Sequence, residues 1–248
     1  MQDDGFNPST LWRRLQFAFF SARSDTLLDP ERRAAMRTHL RTCRPRVLGR
    51  APVEQSRFVV IDTETTGLKA YAGDEVISIA LIELQGLEPT GRIFTSLVNP
   101  QRPIPATSTA IHHLTDADVR DAPCLERLLP DIVQFIGDSI VVGHHVQFDL
   151  RFLNKRLWKL CRCRLRQPSL DTMMLYVALT GRLGHYTLEE VAQQCRVEIV
   201  DRHTAYGDAV ATAAIFKRLS QRLEAGHRPV SRLIQRQSTV GRLAGWPS

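Results

Sequence analysis

The sequence predicts an α/β domain: a mixed β-sheet, made of an antiparallel meander continued by parallel strands, with helices on both faces. Three observations predict it. Phe58-Val59-Val60-Ile61 is an uninterrupted apolar run, as a strand covered on both faces requires. Two further strand-like runs follow, divided by glycine-bearing turn signals. Beyond Asn99 the pattern turns to helical spacings alternating with short apolar strands, which is how crossover units read.

Composition bounds this reading. A chain of 248 residues with 43% hydrophobic content suits one globular domain with extensions and excludes disorder throughout. The five cysteines, Cys43, Cys124, Cys161, Cys163 and Cys195, are odd in number and scattered, so a reducing compartment, the cytoplasm, is expected rather than a disulfide framework. The acidic start Met1-Gln2-Asp3-Asp4 and the short apolar patch Leu15 to Phe20 argue against a targeting segment or membrane span. Charge is uneven. Residues 1–57 hold 11 Lys/Arg against 6 Asp/Glu, residues 58–225 hold 18 against 20, and residues 226–248 hold 4 against none. Basic flanks on an acidic centre suit a polyanion such as nucleic acid, with acids gathered inside the core; solvated arginine-rich ends would look the same.

In chain order, Ser9-Thr10 is expected to cap a helix through Leu11, Leu15 and Phe19, and Pro30-Glu31 to open another to about Leu40. Arg44 to Arg57, with two prolines, reads as a linker, making residues 1–57 a helical N-terminal extension. The core, residues 58–225, opens with the Phe58 strand, a Gly73-Asp74 turn, a strand Val76 to Leu84, a Gly86 to Gly91 turn and a strand Arg92 to Val98. Short helical pieces near Ala110 and Ala117 precede a helix from about Cys124 to Ile136 and a strand Ile140 to Gly143. Phe148 to Trp158 is helical by spacing, Ser169-Leu170 ends a strand, and Thr172 to Leu179 is helical. Thr187-Leu188-Glu189-Glu190 is a capping box, and Ala205 to Leu223 is the last core helix. Residues 226–248 read as a basic C-terminal tail.

The chemistry is expected where the first strand ends. Asp62 and Glu64 share a face through the strand period of two, and adjacent anions need solvent or a shared cation. Asp149 follows the apolar strand and glycine of Gly143-His144-His145-Val146-Gln147-Phe148, in the first turns of a helix. Asp208 lies one turn into the last core helix, behind the loop residue His203. Singly, each aspartate is no more than a helix-dipole partner. If both helix starts reach the strand mouth, four carboxylates converge; hard oxygen ligands then favour Mg²⁺ or Mn²⁺, and two ions over one.

These stretches, Ile61-Asp62-Thr63-Glu64-Thr65-Thr66-Gly67-Leu68, Gly143 to Asp149 and His203 to Asp208, with Leu170-Asp171-Thr172 between the last two, resemble the three motifs of the DEDDh, or DnaQ-like, 3′→5′ exonucleases, a family that includes the proofreading subunit of bacterial DNA polymerase III. The resemblance spans about Phe58 to Leu223. It implies a ribonuclease H-like fold and two divalent ions, with Asp62 bridging, Glu64 and Asp208 completing one site and Asp149 holding the other. It also implies His203 as general base and release of nucleoside 5′-monophosphates from a 3′ end, of DNA ahead of RNA. Thr65, Thr66, Gly67 and Leu68 would line the terminal-nucleotide pocket, with Leu68 wedged against the base; Phe148 could stack on substrate or serve the core. His145 and His113 stand where the family usually has asparagine and glycine, so His145 bears on how the 3′ end is held. Asp171 reads as a helix cap.

Three further segments remain. The run Arg151, Lys155, Arg156, Lys159, Arg162, Arg164, Arg166 could guide a strand's phosphates or be a solvated face. Cys161 and Cys163, with Cys195 and His185, offer only a weak zinc pattern. Leu233-Ile234-Gln235 is a candidate segment for docking a DNA polymerase. Exoribonuclease activity of the oligoribonuclease type and a non-catalytic nucleic-acid-binding or docking module are the alternative functions.

Overall fold

The computed structural model of the chain describes residues 29–43, 49–223 and 227–246. The helix expected from Ser9-Thr10 lies outside them. The sheet has five strands, β1 (Arg57–Thr65), β2 (Val76–Gln85), β3 (Glu88–Leu97), β4 (Ile140–Gly143) and β5 (Ser169–Asp171), in the order β3-β2-β1-β4-β5. β1 is central, antiparallel to β2 and parallel to β4. The helices are α1 (Pro30–Thr42), α2 (Ala106–His112), α3 (Asp116–Val119), α4 (Leu125–Ile136), α5 (Gln147–Cys161), α6 (Thr172–Thr180), α7 (Leu188–Cys195), α8 (Ala205–Arg222) and α9 (Val230–Ala244). Among the described residues, no helix is long and apolar enough to cross a membrane.

The pleat sends alternate β1 residues to opposite layers. Phe58 and Val60 pack with Ala209, Phe216 and Leu219 of α8, and the Phe58 and Phe216 rings lie 5.0 Å apart. Val59 and Ile61 pack on the other side with Leu129 and Val133 of α4, Phe152 and Leu153 of α5, and Met36 and Leu40 of α1. Each such side chain contributes roughly 1.5–3 kcal/mol by leaving water. The same parity assigns Asp62 and Glu64 to the α8 side and Thr63 to the α5 side.

Three expectations need correction. The hairpin between β2 and β3 turns on Gly86-Leu87 alone, with Gly86 at φ +60°; Gly91 sits inside β3 at φ +84°, near a register shift between Ile82 and Leu84. β1 runs through both carboxylates to Thr65, Glu64 pairing with Ser78, so the acids lie within the strand rather than after it. In the basic run, Lys155 and Arg156 are committed to the buried Glu75 at 2.6 and 2.7 Å, and Arg156 also to Glu126 at 2.7 Å.

The segment expected as a tail contains α9, which packs on α6; Leu233 is 2% exposed and joins the core, so it is not displayed for docking. The chain entering β1 and the chain entering α9 are joined. Val53 N–H donates to the Arg228 carbonyl, Val230 N–H to Ala51 and Ser231 N–H to Gly49, at 2.8–3.0 Å. All five cysteines are free; Cys161 and Cys195 lie on opposite faces of the sheet, which removes the zinc pattern.

Candidate active site

Helix α8 reaches the end of β1 through a tightly fitted start. Thr204 caps it, accepting from Gly207 N–H at 3.0 Å. A Cβ on Gly207 would stand 2.2 Å from the Asp201 carbonyl oxygen, so only glycine lets the helix start seat beneath the 200–203 loop. One residue later Asp208, 4% exposed, turns toward β1. Carboxylate oxygens of Asp62, Glu64 and Asp208 lie within 4.8 Å of one another.

Asp149 arrives from the other layer. It is buried in the first turn of α5, and its Oδ1 accepts the Thr63 hydroxyl at 2.6 Å. The residue between the two β1 acids thus orients the acid contributed from across the sheet. The loop that leads to Asp149 is held by Asp171, which caps α6 through Met173 N–H at 3.0 Å as expected. Its carboxylate also accepts from His145 N–H at 3.2 Å and Val146 N–H at 3.1 Å. His145 is left-handed at φ +56°. His144 is pushed down to about 4 by burial; its Nε2 meets the Tyr186 carbonyl and its Nδ1 the Thr172 hydroxyl, each at 2.9 Å. Because a carbonyl only accepts, the proton of this neutral ring sits on Nε2.

The electrostatics follow from gathering four acids. Burial, then the charges of Asp149, Asp208 and Glu64, raises Asp62 well above the usual carboxylate range. Burial and Asp208 lift Glu64 to about 7. Asp149 rises to about 7 by burial, opposed by its Thr63 hydrogen bond, and Asp208 to about 6 by burial, opposed by Arg202. Arg202 pairs with Asp208 Oδ2 and, at 2.5 Å, with Glu189. Asp208 Oδ1 is buried with no hydrogen-bond partner among the described residues. An orphaned carboxylate oxygen facing two further carboxylates, all hard donors whose protonation is the alternative to a cation, fits a divalent metal ion.

His203 stands half-buried in the loop before α8, left-handed at φ +64°, a sparsely populated conformation for a residue with a side chain. Burial and Arg202 lower its pKa below the ordinary histidine value. Leu68, 82% exposed, and Phe148, Phe152, Tyr71 and Arg151 line a cleft of about 450 Å³ between the turn after β1 and the start of α5. Thr65 and Thr66 are buried, their hydroxyls meeting the Gly67 carbonyl at 2.8 Å and Asp74 at 3.3 Å, and neither lines the cleft. A Cβ on Gly67 would lie 2.5 Å from the Asp74 carboxylate. Sequence reasoning missed Thr63, Arg202 and Glu189. The strand alternation could have found Thr63; adjacency to His203 was the only signal for Arg202.

Fold and pocket together define a class: an α/β protein with an acidic cluster suited to a divalent cation on the central strand of a mixed sheet. Residues 59–216 match the RNase_T family model, described as "Exonuclease", and the chain belongs to that exonuclease family. It is 36% identical over 166 residues to the DNA polymerase III subunit epsilon of Aquifex aeolicus, covering 67% of this chain and 81% of that one. It is 38% identical over 181 residues to a DNA polymerase III subunit epsilon-like protein of Rhodobacter capsulatus, covering 72% of this chain but only 26% of the relative's length. Exonuclease X, solved in complex with 5′ overhanging duplex DNA, shares the fold with a TM-score of 0.57 at 23% identity, over 71% of this chain and 98% of that one.

Proposed function

We propose that the protein is a two-metal-ion 3′→5′ exonuclease that shortens DNA from its 3′ end and releases nucleoside 5′-monophosphates. The observation that carries this reading is the division of the four acids: Asp62, Glu64 and Asp208 form one oxygen cluster, while Asp149 stands apart on its own hydrogen bond to Thr63. That division supports one ion held by the three acids and a second by Asp62 with Asp149, with Mg²⁺ or Mn²⁺ suited to the donor set. Two such ions supply charge stabilisation for the attacking and leaving oxygens of an in-line displacement.

The chain's own residues do the rest. His203, neutral near pH 7, accepts the proton of the attacking water. Leu68 and Phe148 flank a cleft that would take the terminal base, Arg151 would meet a phosphate there, and Gly67 would let the backbone come close to the substrate. On this reading residues 58–225 are the catalytic unit, acting in the cytoplasm in DNA replication or repair. The relatives' names support a polymerase as partner. The reading is tested with a 3′-labelled single strand and Mg²⁺ or Mn²⁺: mononucleotide release is expected, and release that persists in Asp62→Ala overturns it. Short RNA of equal length, run in parallel, separates the exoribonuclease alternative.

A further inference from the structure

Helix α9 lies outside residues 59–216, the part shared with the family, yet it touches the active-site loop at two points. The first is Gln237. Its Oε1 accepts from Asp171 N–H at 2.7 Å and its Nε2 donates to the Ser169 carbonyl at 3.3 Å, so one side chain grips both ends of β5. The second is Trp246, just past the helix, whose ring lies 4.5 Å from that of His185; His185 in turn stacks at 6.1 Å on His145.

Both contacts lead to His145, the first through Asp171 and the second through His185. β5 is an edge strand of three residues, joined to β4 by a short parallel ladder, so little else fixes its backbone. The Asp171 carboxylate is the partner of His145 N–H and Val146 N–H, and Val146 is the residue on which α5 starts. Asp149 follows three residues on, and its placement at the metal pocket is inherited from that start. We propose that Gln237 is a positioning residue for the acidic pocket: by fixing β5 it sets where Asp171 holds the His145 and Val146 amides, and so where Asp149 stands. The C-terminal helix is then a working part of the site, with the His145–His185–Trp246 stack as its second tether. The inference rests on the exonuclease reading for its consequence in turnover, though not for its geometry.

The test uses the full chain and two variants. Gln237→Met keeps the size and removes both hydrogen bonds; Gln237→Glu keeps the acceptor for Asp171 N–H. Gln237→Met should exchange the His145 and Val146 amide hydrogens about tenfold faster, raise the apparent Mn²⁺ dissociation constant about tenfold and lower kcat on single-stranded DNA comparably, with KM within about twofold, as loss of an outer positioning contact does elsewhere. Gln237→Glu should restore much of the amide protection. A lowered Tm with unchanged amide exchange, Mn²⁺ binding and kcat would reduce Gln237 to a packing residue and overturn the proposal. If the parent chain releases no nucleotide, the exonuclease reading fails by itself, and amide exchange with Mn²⁺ titration still decides this one.

Discussion

Arg202 pairs with one oxygen of Asp208 while the other, Oδ1, is buried without a partner among the described residues. A guanidinium therefore supplies part of the positive charge that the carboxylate cluster needs, and it does so at the oxygen cluster best suited to an ion. With Arg202 lowering them, Asp208 and Glu64 titrate near 6 and 7, so at pH 8 both are ionised and its charge opposes a bound cation rather than a proton. Arg202→Gln should then bind Mn²⁺ about fivefold to tenfold more tightly at pH 8 by calorimetric titration, about 1–1.4 kcal/mol. Weaker binding would show that Arg202 holds the site's shape instead.

Thr63 is the second case of one residue acting through another. Its hydroxyl is the hydrogen-bond partner of Asp149, and Thr63→Val removes that bond at nearly constant volume. Metal affinity should fall by roughly 10- to 100-fold, as for other contacts that orient a ligand. Equilibrium dialysis reads it directly, and unchanged affinity would leave Asp149 positioned by its helix alone.

Removing a general base costs typically about 10²- to 10⁴-fold in rate, and His203→Ala should fall in that range with metal affinity within about twofold. Because burial and Arg202 hold the His203 pKa below the ordinary value, the acidic limb of kcat/KM should lie below about pH 6.5. A rate that persists in the variant would assign the proton elsewhere.

The metal-free protein should lose stability as pH rises. Glu64 and Asp149 titrate near 7 and Asp208 near 6 when folded, against 4.5 and 3.8 for the ordinary groups. The native state thus holds protons that the unfolded chain has released, and unfolding free energy declines between about pH 4 and pH 7. The contribution is fully present below the ordinary values and gone above the folded ones. Thermal melts in chelator should give a higher Tm at pH 5 than at pH 8, and added Mn²⁺ should raise Tm more at pH 8. A Tm independent of pH across this window would contradict the raised values.

How much was legible follows from where each partner lies in the chain. The apolar strand Phe58 to Ile61 carried straight into Asp62 and Glu64, because strand parity is local. The aspartates of α5 and α8 each announced a helix start. Lys155 and Arg156 looked like a phosphate track because Glu75, which neutralises them, is about 80 residues away. Gly91 was read as a turn because β3 is an edge strand with little alternating burial to mark it. Helix α9 read as a tail because its arginines outweighed Val230, Leu233 and Val240, whose value depends on a partner helix that spacing alone does not name.

The backbone bonds between residues 49–53 and 228–231 join the chain just before the core to the chain just after it. Mechanically, they form a clasp. Because the two segments run antiparallel with Gly49 opposite Ser231, a pull applied through both flanks peels these bonds from the Gly49 end first, while β1 and its carboxylates stay out of the line of force. A load entering through the flanks would be taken up at the clasp before it could strain the strand that carries Asp62 and Glu64.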